Sequence, residues 1–166
     1  IDVALRTTVG HSDLVVAREL GRFERRLYAA PGYLEQHGTP ADPSELQQHH
    51  TVTHTAQGPA VTWVFRNAQG KPLEVTVRSR LAASSSALVH HALVSGAGIG
   101  MLSSPLAAAD AAQGRLVEVL APFASGTVHT LYAVSSPGRR NAARVKAVID
   151  FLVKASKDGW ALAPVR

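Results

Sequence analysis

Ser84-Ser85-Ser86-Ala87-Leu88-Val89-His90-His91-Ala92-Leu93-Val94-Ser95-Gly96-Ala97-Gly98-Ile99-Gly100-Met101-Leu102 is the stretch that decides the fold. Hydroxyl residues open an apolar run that continues through Val94. Serine favours helix starts because its oxygen can meet the unpaired N–H groups there. Gly96-Ala97-Gly98 ends the run, since glycine leaves a helix at little steric cost. Ile99 to Leu102 then reads as a short buried strand. A helix returned to a strand through a few small residues is part of an α/β unit.

Working outward, Thr51 to Thr55, Val61 to Phe65 and Leu73 to Val77 read as strands. Asn67-Ala68-Gln69-Gly70 joins the last two with hairpin chemistry. Upstream, Val3 to Arg6 is a short apolar segment expected to be a buried strand of a parallel sheet. A polar loop, Thr7 to Asp13, follows it. Leu14 to Ala17 and Arg25 to Ala30 read as two extended segments. Pro31-Gly32 opens a short helix, Tyr33 to His37, closed by Gly38. Ser44 is expected to cap a single turn, Glu45 to Gln48.

Downstream, Pro105 starts a helix over Leu106 to Gln113, with Gly114 after it. Leu116 to Leu120 and Val128 to Val134 are further strands. Residues 139 to 155 predict the clearest helix: Val145, Val148, Ile149, Leu152 and Val153 form a one-sided apolar stripe. The tail, Lys157 to Arg166, looks irregular. Short connections between alternating strands and helices imply α/β architecture with at least one largely parallel sheet. Two lobes with a ligand cleft between them are expected, with a mixed sheet in the lobe spanning about Pro31 to Val128. Residues 1–30 would form part of the first lobe and 31–128 the second. Residues 129–156 would return to the first lobe, and 157–166 would be a tail.

The chain has 166 residues, 46% hydrophobic and 17% charged, so it is globular and not disordered. It has no cysteine, which excludes disulfides and thiolate metal sites. The formal net charge is +5, but the arginines are scattered and aromatics are only 5%. Nucleic-acid binding needs a basic patch or stacking platforms, and this segment shows neither. No apolar run approaches the length of a membrane span, and no signal peptide opens the chain. A cytoplasmic location without membrane contact is the expectation. The abrupt start in Ile1-Asp2-Val3-Ala4-Leu5 sets the further expectation that residues precede Ile1.

Enzyme readings fare poorly. Residues four apart on a strand, such as His50 and His54, have Cα atoms about 13 Å apart, too far for one zinc. His90 and His91 point in different directions on a helix. There is no Gly-x-Ser-x-Gly elbow. Gly96 to Gly100 precedes a strand and not a helix, so it is no dinucleotide fingerprint. No catalytic residue, metal or cofactor is expected.

Two sets of residues suit ligand binding. Ser84, Ser85 and Ser86 combine hydroxyls with the free N–H groups of a helix start, a ready anion site. Plain N-capping is the alternative. Arg6, Thr7 and Thr8 follow a strand at its carboxyl end, where open α/β sheets place ligands. Arg6 could grip a carboxylate there. A solvated loop with a surface ion pair is the alternative.

The order of motifs resembles the LysR-type transcriptional regulators. They are Asp2-Val3-Ala4-Leu5-Arg6, Leu14 to Gly21, Leu27 to Leu34, Gln36-His37-Gly38-Thr39-Pro40, Trp63-Val64-Phe65, Val94 to Gly100, Gly114 to Val117 and Val145 to Leu152. The resemblance runs from Asp2 to about Ala155. Ser103-Ser104-Pro105 departs from the Leu-Pro of many members, and Ser84-Ser85-Ser86 from their Asn-Asp pair.

The resemblance implies an effector-binding domain of the type 2 periplasmic-binding-protein fold. Two subdomains would hold a small-molecule effector between them, with the serine loop facing the ligand. The positive charge and hydroxyls suggest a small organic molecule carrying a carboxylate or several acceptors, with a neutral polar effector as the alternative. Homodimers or homotetramers are implied, with the helix Leu106 to Gln113 as a contact candidate. DNA would be bound only through a winged helix-turn-helix domain that this sequence lacks. The rival of the same fold is a periplasmic solute-binding protein.

Overall fold

A computed structural model describes residues 2–7, 15–54, 60–67, 69–123, 128–139 and 142–157. In chain order the elements are β1 (Ala4–Arg6), β2 (Val16–Ala29), α1 (Pro31–His37), a 3-10 turn (Pro43–Gln48) and β3 (Thr51–Thr53). There follow β4 (Ala60–Arg66), β5 (Pro72–Ala82), α2 (Ser86–Val94), β6 (Ile99–Ser103) and α3 (Ser104–Ala112). The last are β7 (Val117–Val119), β8 (Val128–Ser135) and α4 (Ala143–Lys157). They form two compact units. One is Ile1–Phe23 with Val128–Arg166; the other is Glu24–Thr127.

In the first unit β1 pairs antiparallel with β8, Ala4 opposite Val134 and Arg6 opposite Tyr132. The Phe23 and His129 rings stack with centroids 5.5 Å apart. Helix α4 packs on β8. Its Val145 is fully buried, and the Arg144 guanidinium stands 3.6 Å from the Asp2 carboxylate.

In the second unit β3 lies between β5 and β6, parallel to both. Strand β2 runs antiparallel to β6 and to β7, and β4 and β5 form an antiparallel hairpin. Strand alternation sends successive residues to opposite faces. Leu27 and Ile99 join Tyr33, Leu46, Trp63, Phe65, Val75 and Val77 on one face. Tyr28, Val52 and Leu102 join Val89, Leu93 and Ala107 under α2 and α3 on the other. Burying each large side chain stabilises by roughly 1.5–3 kcal/mol, so β3 and β6, covered on both faces, are the fixed centre. The hairpin bond at Asn67 follows the expected turn chemistry: its side-chain oxygen accepts from the Gln69 and Lys71 N–H groups.

Gly98 and Gly100 let β6 lie against β3. A Cβ on Gly98 would collide with the His50 carbonyl, and Gly98 has φ +151. A Cβ on Gly100 would sit 2.6 Å from the Val52 carbonyl oxygen.

The structure corrects several expectations. The sheet of the second unit is mixed, as expected for that lobe, but among the described strand pairs only those of β3 are parallel, so it is not largely parallel. Apolar runs reveal a strand but not its direction. Strand β1 is antiparallel, and Leu5 is 47% exposed, so it is not a buried parallel strand. The two extended segments before Pro31 are one strand, β2; its exposed charges at Arg18, Glu19 and Arg22 read as an interruption but lie on a solvated stretch. Asp42, not Ser44, caps the 3-10 turn: its carboxylate accepts from the Ser44 N–H at 2.9 Å. In α4 the buried stripe is narrower than the pattern suggests, with Val148 half exposed. Thr8, Leu14, Thr55, Ala68 and the tail beyond residue 157 lie outside the described residues.

Candidate functional site

The carboxyl end of β3 is where a parallel strand gives way to a helix start. Thr53 ends β3, and its carbonyl accepts the Ala83 N–H at 3.0 Å. That bond fixes the chain just before Ser84-Ser85-Ser86. Ser85 is the N-cap of α2; its carbonyl accepts the Val89 N–H at 3.1 Å, while its hydroxyl makes no capping bond. Ser84 and Ser86 are exposed and Ser85 half-buried. The first-turn N–H groups of a helix have no partner within it, and the positive end of its dipole lies there. The loop therefore offers hydroxyls and amide donors to a small polar or anionic group. Helix α2 starts at Ser86, so the three consecutive serines stand at a helix start.

A second hydroxyl pair stands behind the loop. The Thr53 hydroxyl lies 2.9 Å from that of Ser79, which in turn donates to the Leu81 carbonyl at 2.7 Å. Thr53 is buried. In the sequence Thr53 is only one residue of an expected strand. Its neighbour is 26 positions away on a parallel strand, so no local pattern could join them.

Arg6 and Thr7 lie at the end of β1 in the other unit, and both are exposed. Thr8 is outside the described residues.

Helix α2 is held in place by a charged clamp. His90 Nε2 is 2.7 Å from Asp110 Oδ2 on α3, and Arg115 Nε donates to Asp110 Oδ1 at 2.5 Å. Asp110 is buried. Its bond to Arg115, helped by His90, holds the carboxyl below the usual carboxylate range, although burial opposes this. His91 instead bonds the Ala87 carbonyl, and its ring stands at 90° to that of His90. Among the described residues no group of three or more histidines and carboxylates is placed to hold a metal ion.

An open hollow of about 500 Å³ lies at the other end of α2, lined by residues including Tyr33, Gln36, Ser95 and Arg115. None of the candidate residues from the sequence lines it. Among the described residues no helix is long and apolar enough to cross a membrane.

Comparison with known proteins adds the family. Residues 1–157 match the model of the LysR substrate binding domain. The HTH-type transcriptional regulator CrgA of Neisseria meningitidis is 34% identical over 154 residues, covering 93% of this chain and 51% of that protein. The structure of the CrgA regulatory domain superposes with a TM-score of 0.83 over 93% of this chain and 74% of that one, again at 34% identity. Full-length AphB of Vibrio cholerae, described as a virulence activator, gives a TM-score of 0.78 at 28% identity, covering 93% of this chain and 52% of that one. The chain spans about half the length of the curated relatives it matches.

Proposed function

This chain belongs to the LysR substrate binding domain family, with its type 2 periplasmic-binding-protein-like fold, and from that premise we propose that it is the effector-sensing part of a DNA-binding transcription regulator. The observation that carries this is the family match over residues 1–157, together with relatives that are themselves HTH-type regulators. Those relatives favour a regulator over a periplasmic solute-binding protein.

The mechanism is differential binding. An effector shifts a regulator only by as much as it prefers one of its states. The proposed contacts are Ser84, Ser85 and Ser86 through hydroxyls and the α2 amides, with Arg6, Thr7 and Thr8 as further candidates. A small carboxylate fits a helix start and an arginine. The domain acts without catalysis. The whole protein works in the cytoplasm as a homodimer or homotetramer, and reaches DNA through a winged helix-turn-helix domain outside these residues. The helix Leu106 to Gln113, observed as α3, is the proposed contact between copies.

The test uses the full-length protein. A thermal-shift screen of small acids and aromatics finds a stabilising compound, and a DNA mobility-shift assay is run with and without it. The expected result is a change in DNA affinity or in complex size. A stabilising compound that leaves DNA binding untouched, or a full-length protein that binds no DNA, contradicts the proposal.

A further inference from the structure

At the amino end of β3, opposite the serine loop, three histidines gather around one tyrosine. The Tyr33 hydroxyl accepts the His50 backbone N–H at 2.9 Å and lies 3.1 Å from His49 Nδ1. The His37 ring stacks on Tyr33 at 4.3 Å and 11°, and its Nδ1 donates to the Tyr33 carbonyl at 3.1 Å. The His37 and His50 rings are 5.2 Å apart. Arg80, from β5, brings a guanidinium nitrogen within 2.8 Å of the His50 ring nitrogens.

This geometry favours neutral imidazoles at His49 and His50. An Arg80 N–H can donate only to an unprotonated nitrogen of His50. The Tyr33 hydroxyl, which already accepts the His50 N–H, can give its own proton to a lone pair on His49 Nδ1. Protonating His49 removes that acceptor and leaves two N–H groups to share one buried oxygen. Protonating His50 would set an imidazolium against a guanidinium. The acidic group acting on His49 is Glu45, whose carboxylate already accepts the Ala41 N–H.

The cluster is tied to the strand. The His50 carbonyl accepts the Ile99 N–H at 2.9 Å and faces Gly98. Thr51, Val52 and Thr53 follow, and Thr53 holds Ala83. We propose that His49 and His50, set against Tyr33, His37 and Arg80, form a pH-sensitive latch that grips β3 when these two imidazoles are neutral and loosens β3 and the serine loop when they are protonated. This goes beyond effector binding and does not depend on it.

The sign agrees. Burial holds the His49 imidazole below the ordinary histidine range, with His37 adding to the shift; burial, then Arg80 and His37, do the same for His50. The folded protein therefore binds fewer protons than the unfolded chain. Its stability is full above the ordinary histidine range, falls as pH drops through that range, and goes on falling to the folded-state values.

The test is hydrogen exchange on the intact protein from about pH 7.5 to about pH 5.5, with NMR titration of the histidine rings. A His49→Asn/His50→Gln variant keeps acceptors at both places and removes the titration. Protection over residues 50–53 and 83–86 is expected to be lost on acidification in the wild type and retained in the variant. The His49 and His50 rings are expected to titrate below free histidine. Normal or raised histidine midpoints overturn the latch, whether or not the variant folds. So does unchanged protection in the wild type once both rings are protonated.

Discussion

The two ends of β3 are built on opposite plans. At the amino end the backbone of His50 is held by Tyr33, by Ile99 and by the close face of Gly98, so nearly every polar group has a partner. At the carboxyl end the Ala83 to Thr53 bond anchors the chain, and three serines follow it, exposed or half-buried, with no capping bond from Ser85. The first arrangement gives rigidity to a three-residue strand that could not stand alone. The second leaves donors available next to that rigid support. A binding loop is most useful where its own groups are unspent and its anchor does not move.

Substitutions that strike the tight end should therefore cost far more stability than those at the open end. Gly98→Ala forces a Cβ onto the His50 carbonyl at a φ that other residues rarely adopt. It should destabilise by about 3 kcal/mol or more, read from urea unfolding. A loss under about 1 kcal/mol would mean that β6 and His50 are not so close. Tyr33→Phe removes the acceptor for the His50 N–H and should cost about 1–3 kcal/mol. A near-neutral effect would show that His50 is held by Gly98 and Ile99 alone.

The clamp on α2 sharpens the comparison through pH. Asp110 is held below the usual carboxylate range, so its contribution is present above that range and disappears as pH falls through its folded value. Asp110→Asn should lower the melting temperature at neutral pH and flatten the acid limb of the melting-temperature profile. An unchanged acid limb would remove the clamp from the account. Smallest of all, Ser85→Ala should change stability by less than the ~1 kcal/mol usual for a cap, because this serine makes no capping bond. A full cap-sized loss, seen by thermal melting, would favour plain capping over ligand contact.

How much of this was legible depends on the range of the interaction. The β4–β5 hairpin could be read because Trp63, Phe65, Val75 and Val77 alternate with exposed residues and Asn67 supplies its own turn bonds. The α2–β6 junction could be read because serines and glycines punctuate it. The direction of each strand could not: a mixed sheet was expected of this lobe, but not that only the pairs of β3 would be parallel. Nor could the unity of β2, whose exposed charges imitate a loop. In the candidate site the serine loop was visible as a helix start, but Ser79 was not, since it reaches Thr53 only through strand pairing. His50 was weighed with His54 as a pair of metal ligands on one strand. The neighbours of His50 are instead Tyr33, His37 and Arg80, from α1 and β5.

The central claim is that the open end of β3 binds the effector. Its most direct test is calorimetry of the full-length protein with the compound found by thermal shift, comparing wild type with Ser85→Ala/Ser86→Ala. Losing a hydrogen bond to a charged group costs about 1.5–3 kcal/mol, so affinity should fall about ten- to a hundredfold while the melting temperature without compound stays nearly constant. Unchanged affinity in a folded double variant would contradict the account.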